Sequence, residues 1–136
     1  MINIQLEGQI AQKRRVTTYI RSILSFLMPE LRRDVDVTVT TVRECEGGAL
    51  GLCYGARNSV EIELSRTLMG EKIPLEEMMQ TLAHELVHAK QFIKGELSPK
   101  MTRFKTIYHA HTPYSKQPWE HEAYRKEVKL YKIFWE

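Results

Sequence analysis

Only two cysteines occur in the 136 residues, Cys45 and Cys53, and they flank a Gly47-Gly48 turn rather than standing at zinc-finger spacing. So few thiols exclude a disulfide-built scaffold, and both are expected as reduced core or strand residues. No apolar run approaches the ~20 residues that a membrane-spanning helix needs, so no membrane partner is expected. The first eight residues, Met1 to Gly8, have neither a basic start nor an apolar block. No secretory signal is read there, and a cytoplasmic protein is expected. Internal repeats and low-complexity stretches are also missing. Charge of one sign is not in large excess, since 20 basic against 17 acidic residues leave a formal +3. Basic clusters at Lys13-Arg14-Arg15 and from Lys100 to Lys105 suit phosphate or acidic partners, but no nucleic-acid-binding motif accompanies them. Contact with nucleic acid is a minor expectation.

What is present is an ordinary globular composition, 43% hydrophobic and 27% charged, in a length suited to one domain over residues 1–136. Val16, Ile20, Ile23, Leu24 and Leu27 recur at helical spacing before Pro29, which predicts an amphipathic first helix over about Ile10 to Met28. Val35, Val37 and Val39 alternate with polar residues as in a half-buried strand. Ala49 to Tyr54 follows the Gly47-Gly48 turn and is expected to pair back on it. Val60-Glu61-Ile62-Glu63-Leu64 alternates strictly and predicts a third strand. The expected fold is α+β, with a small, mainly antiparallel three-stranded sheet between the first helix and two later ones.

The densest chemistry lies in His84-Glu85-Leu86-Val87-His88. Histidines four apart on a helix stand one turn above each other, so both imidazoles reach one metal ion. The glutamate beside the first is placed to deprotonate water at that ion, as in the H-E-x-x-H motif of zinc peptidases. The flanking residues support a helix: Pro74 at its start, Glu76 and Glu77 in the first turn, Gly95 as terminator. Leu75, Met79, Leu82, Leu86, Ala89 and Ile93 form one apolar stripe nearly opposite His84 and His88. One face is therefore expected in the core and the other on a cleft.

A catalytic zinc needs a third protein ligand and an open position. A metzincin-like site would need Gly at 91 and His or Asp at 94, where this chain has Gln91 and Lys94; another variant needs His at 93, which is Ile93. What remains is a glutamate on a downstream helix opened by Pro118. Glu120 shares a face with Ala123, Glu127, Tyr131 and Phe134, whereas Glu122 points about 200° away, toward solvent. An inward acid is costly without a cation, so Glu120 ranks first as ligand and Glu127, two turns on, second. A first-turn helix-dipole role is the other reading of Glu120.

With these segments the chain resembles a minimal gluzincin-type zinc metallopeptidase, and looks most like the short SprT-like or minigluzincin proteins of phage and bacterial genomes. The similar residues are His84 to His88 and Glu120-His121-Glu122-Ala123, which matches an E-x-x-A pattern. The resemblance implies a zincin-like fold, one zinc ion on His84, His88 and Glu120, and Glu85 as general base. Larger gluzincins often carry Asp four residues after the third ligand to orient a histidine; here that position is Tyr124, which leaves the support of the zinc ligands unassigned. The resemblance also implies a strand pairing with extended substrate, for which Val60 to Leu64 is the candidate. It implies a tyrosine or histidine donor to the tetrahedral oxyanion. Tyr108, His109, His111 and Tyr114 all lie in the long 96–117 connection, and Tyr114 is favoured as nearest to Glu120. The expected function is hydrolysis of a peptide or protein substrate by zinc-activated water. The alternative is a regulatory or DNA-associated binding module with a structural zinc.

Overall fold

A computed structural model describes residues 1–136. The chain forms β1 (Ile2–Glu7), α1 (Lys13–Leu27), β2 (Val35–Val42), β3 (Gly51–Gly55), β4 (Ser59–Ser65), a hairpin of β5 (Thr67–Leu68) and β6 (Glu71–Lys72), and α2 (Leu75–Ile93). A second hairpin, β7 (Arg103–Phe104) and β8 (Ile107–Tyr108), then leads to α3 (Pro118–Phe134). The class is α+β with three helices, and no helix is long and apolar enough to cross a membrane.

The sheet departs from expectation in three ways. It has four strands in the order β1-β2-β4-β3, and two of its three pairings are parallel, so it is mixed rather than mainly antiparallel. The additional strand is the amino terminus, where Ile2, Ile4 and Leu6 alternate with exposed Asn3, Gln5 and Glu7. Because α1 carries the chain from β1 back to the start of β2, those strands run parallel, as a helical crossover requires. Finally, β3 pairs antiparallel with β4, Cys53 opposite Ile62, and not with β2. The Val60–Leu64 segment is thus an interior strand, bonded on both sides, and the edges of the sheet are β1 and β3.

The strict alternation of β2 and β4 decides the layers. Val35, Val37, Val39, Val60, Ile62 and Leu64 are all buried, while Asp36 and Glu61 face solvent on the other side. Helix α1 buries Val16, Tyr19, Ile20, Ile23 and Leu24, and the Tyr19 hydroxyl donates to the Met79 carbonyl of α2 at 2.8 Å. Helix α2 packs on β3 and β4 with one side and on α3 with the other. It is therefore buried around its whole circumference from Leu82 to Ile93, not on one stripe alone. Gly95 ends it at φ 73°, the left-handed conformation that glycine adopts without steric cost. Cys45 and Cys53 are free and buried.

Candidate metal centre

The buried middle of α2 presents its polar residues to α3. His84 and His88 stand one turn apart with ring centroids 4.9 Å from each other, 8% and 3% exposed. From the first turn of α3, Glu120 Oε1 lies 3.0 Å from His84 Nε2 and 3.2 Å from His88 Nε2. One atom from each of the three residues falls within a 4.8 Å group. Ligands held ~2.1 Å from a tetrahedral ion stand roughly 3.4 Å apart, so this constellation needs little opening to seat one. Two imidazole nitrogens and one carboxylate oxygen match a His₂Glu zinc donor set, and the three residues form a group fit to hold a metal ion.

The opposite ring nitrogens are held too. Glu127 Oε1 lies 3.0 Å from His84 Nδ1, and its other oxygen accepts from Gln80 at 3.2 Å. Glu127, second-ranked as a ligand, thus backs a histidine, and Gln91 Oε1 does the same for His88 Nδ1 at 2.8 Å. Glu122 is not solvent-facing: it is 6% exposed and sits between Lys90 at 2.8 Å, Lys126 at 2.6 Å and the Gln91 amide at 2.8 Å. The helical wheel placed Glu122 away from Glu120 correctly, but the carboxyl end of α2 and the segment after it cover that side as well. Lys90, itself buried, also pairs with Glu96 at 2.8 Å.

These contacts set the proton equilibria. For His84, burial favours the neutral ring, but Glu120 and Glu127 outweigh it and lift the pKa to about 9. His88 rises for the same reasons, with Glu120 as the main partner against burial. Burial pushes Glu120 up, yet the two histidines win and take it down to about 2. Glu122 also falls to about 2, where Lys126, Lys90 and Gln91 overcome burial. Glu85 moves the other way: burial holds its carboxyl above the usual range despite the pull of His88 and His84.

Glu85 lines a cleft of about 310 Å³ together with His84, Tyr114, Tyr124, Thr81 and the Ala49–Gly51 segment. The absence of a side chain at Gly51 lets Glu85 lie against β3, since a Cβ there would meet Thr81 Cγ2 at 2.8 Å and Glu85 Oε2 at 3.1 Å. A larger cleft of about 750 Å³ opens at the far end of α2 between Arg43, Arg66, Lys72 and Met78, and no candidate site residue lines it.

The 96–117 connection is not one open loop, for it holds the β7–β8 hairpin and a 3₁₀ turn at Tyr114–Lys116. That turn brings the Tyr114 hydroxyl to 3.2 Å from Glu120 Oε1 and 2.9 Å from the Tyr124 hydroxyl. The other donors considered do not join this cluster. Tyr108 lies by Arg103, while His109 packs on Trp119 and bonds Thr112. His111 is exposed. Sequence reasoning missed Tyr124, whose ring packs 4.5 Å from that of His84, and Gln91. Gln91 stands three positions after His88 on a helix, and that spacing was the one available signal.

The family model described as the SprT-like family matches residues 26–115, which takes in His84 to His88 and Tyr114 and stops short of Glu120. No curated protein and no solved structure matches the chain significantly. The matched segment covers most of the chain, from the end of α1 through β2, β3 and β4 and all of α2, and the chain belongs to the SprT-like family.

Proposed function

We propose that the chain is a zinc-dependent peptidase of the zincin type. The observation that carries this reading is the convergence of His84, His88 and Glu120 beside a cleft lined by Glu85. His84 and His88 would hold the ion through the Nε2 atoms that face Glu120, and Glu120 would hold it through a carboxylate oxygen. The ion, when bound, supplies Lewis acidity and brings the pKa of water from about 15.7 toward about 7. Glu85 takes a proton from the attacking water and delivers it to the leaving amine. Tyr114 keeps its phenol neutral, since burial, Tyr124 and Glu120 all raise its pKa, and donates to the developing oxyanion. An extended peptide adds to the free edge of β3, which takes over the role expected of Val60–Leu64.

The deciding experiment is Glu85→Gln. Metal analysis should find one zinc per chain in both forms, while hydrolysis of a denatured protein substrate drops about 10²- to 10⁴-fold in the variant. Unchanged hydrolysis, or a wild-type chain that takes up no zinc, contradicts the proposal.

A further inference from the structure

We infer that Gln91 and Glu122 form a positioning relay that fixes which nitrogen of His88 is available to a cation, with Lys90 as its anchor; this rests on the reading of His84, His88 and Glu120 as a divalent-cation site. The Gln91 amide nitrogen lies 3.0 Å from the Trp119 carbonyl and 2.8 Å from Glu122 Oε1, both of which can only accept. The NH₂ group must therefore point at them, and the amide oxygen must face His88. That oxygen lies 2.8 Å from His88 Nδ1, so Nδ1 has to carry a proton, while Nε2 donates to Glu120 Oε1 at 3.2 Å and its proton is the one a cation displaces. Lys90, 2.8 Å from Glu122 Oε2, keeps the carboxylate charged and in place, and Lys126 contacts the same oxygen.

The two histidines are thus held by different chemistry. His84 is backed directly by the Glu127 carboxylate, whereas His88 is backed by a neutral amide whose orientation a buried carboxylate imposes. Without Glu122 the amide loses one of the two acceptors that prevent it from turning over. A turned amide would present NH₂ to Nδ1 and leave the proton on Nε2, the tautomer that cannot bind a cation there. Glu122 touches neither the cation position nor Glu85, and it acts only through Gln91.

The test is a double-mutant cycle on zinc affinity, measured by competition with a chromophoric chelator, using Gln91→Met and Glu122→Gln. Each change nearly preserves side-chain volume, and Glu122→Gln remains readable if Gln91→Met fails to fold. Each single variant should weaken zinc binding about 10- to 100-fold, and the double variant should be little worse than either, because both cut one chain of contacts. In the cobalt-loaded protein, the solvent-exchangeable, hyperfine-shifted Nδ1–H resonance of His88 should broaden or vanish in both variants while that of His84 persists. Affinities within twofold of wild type, effects that multiply in the double variant, or an intact His88 resonance would each overturn the relay. A wild-type chain that binds no zinc overturns the site itself, a result distinct from a tight site indifferent to Glu122.

Discussion

Gly51 shows how closely the candidate site is fitted at the scale of single residues. A methyl group there has no room beside Thr81 and Glu85, so Gly51→Ala must displace one or both of these side chains or the strand edge. The expected outcome is retained zinc and a loss of hydrolysis on the order of 10²-fold, the cost of misplacing a reacting group by about 1 Å. Full activity in Gly51→Ala would mean that Glu85 works from another position. Tyr114→Phe removes a single hydroxyl from a cluster of three oxygens, those of Tyr114, Tyr124 and Glu120. If that hydroxyl is the oxyanion donor, kcat falls about 10²- to 10³-fold with little change in KM or zinc content. A change confined to KM would instead assign Tyr114 to substrate binding. Lys90 and Glu122 carry a different lesson. Glu122 reads from sequence as solvent-facing, yet it and Lys90 are both buried and compensate each other across the α2–α3 contact.

At the scale of elements, α2 was legible from its own residues. Its start at Pro74, its end at Gly95 and its pair of histidines one turn apart are all local features. The wrapping of α2 on all sides was less legible, because nothing within α2 says that α3 packs over His84, His88 and Gln91. The sheet was read least well. Alternation marks β2 and β4 as strands, and Ile2 to Glu7 carries the same alternation. Alternation says which face of a strand is buried and nothing about its neighbour, so strand order could not follow from it. The order bears on the proposed substrate pairing, since it leaves β3 and not β4 with unpaired backbone groups beside the cleft. Peptide substrates N-methylated at alternate backbone amides near the scissile bond should be cut markedly more slowly than unmodified ones in a steady-state assay. Indifference to N-methylation at every position would argue against strand addition to β3.

At the scale of the whole molecule, the charges between α2 and α3 predict how the chelator-treated protein responds to pH. His84 has a pKa raised to about 9, so its contribution is complete below the unfolded value of about 6.5 and is lost as pH climbs through about 9. Glu120 and Glu122 have pKa values lowered to about 2, so theirs is complete above the unfolded value of about 4.5 and is lost as pH falls through about 2. Ionisation of buried Glu85 costs stability as pH rises, in the same sense as His84. Thermal midpoints of the chelated protein should therefore be highest in the mildly acidic range and decline toward both pH 9 and pH 2. Zinc should reverse the alkaline decline, because a cation replaces the imidazole protons and its binding weakens as those protons return. A chelated protein most stable near pH 9 would show that His84 and Glu120 do not interact as described.

Local spacing was enough to put two histidines one turn apart on a helix, a glutamate beside the first, and Glu120 on the inward face of a second helix, since helical periodicity places side chains without reference to the rest of the chain. Strand order, the burial of Glu122 with Lys90, and the support of His88 by Gln91 were decided only by the tertiary structure. Each of those depends on which surface lies opposite. That is a property of distant segments meeting, and no periodicity within one segment encodes it.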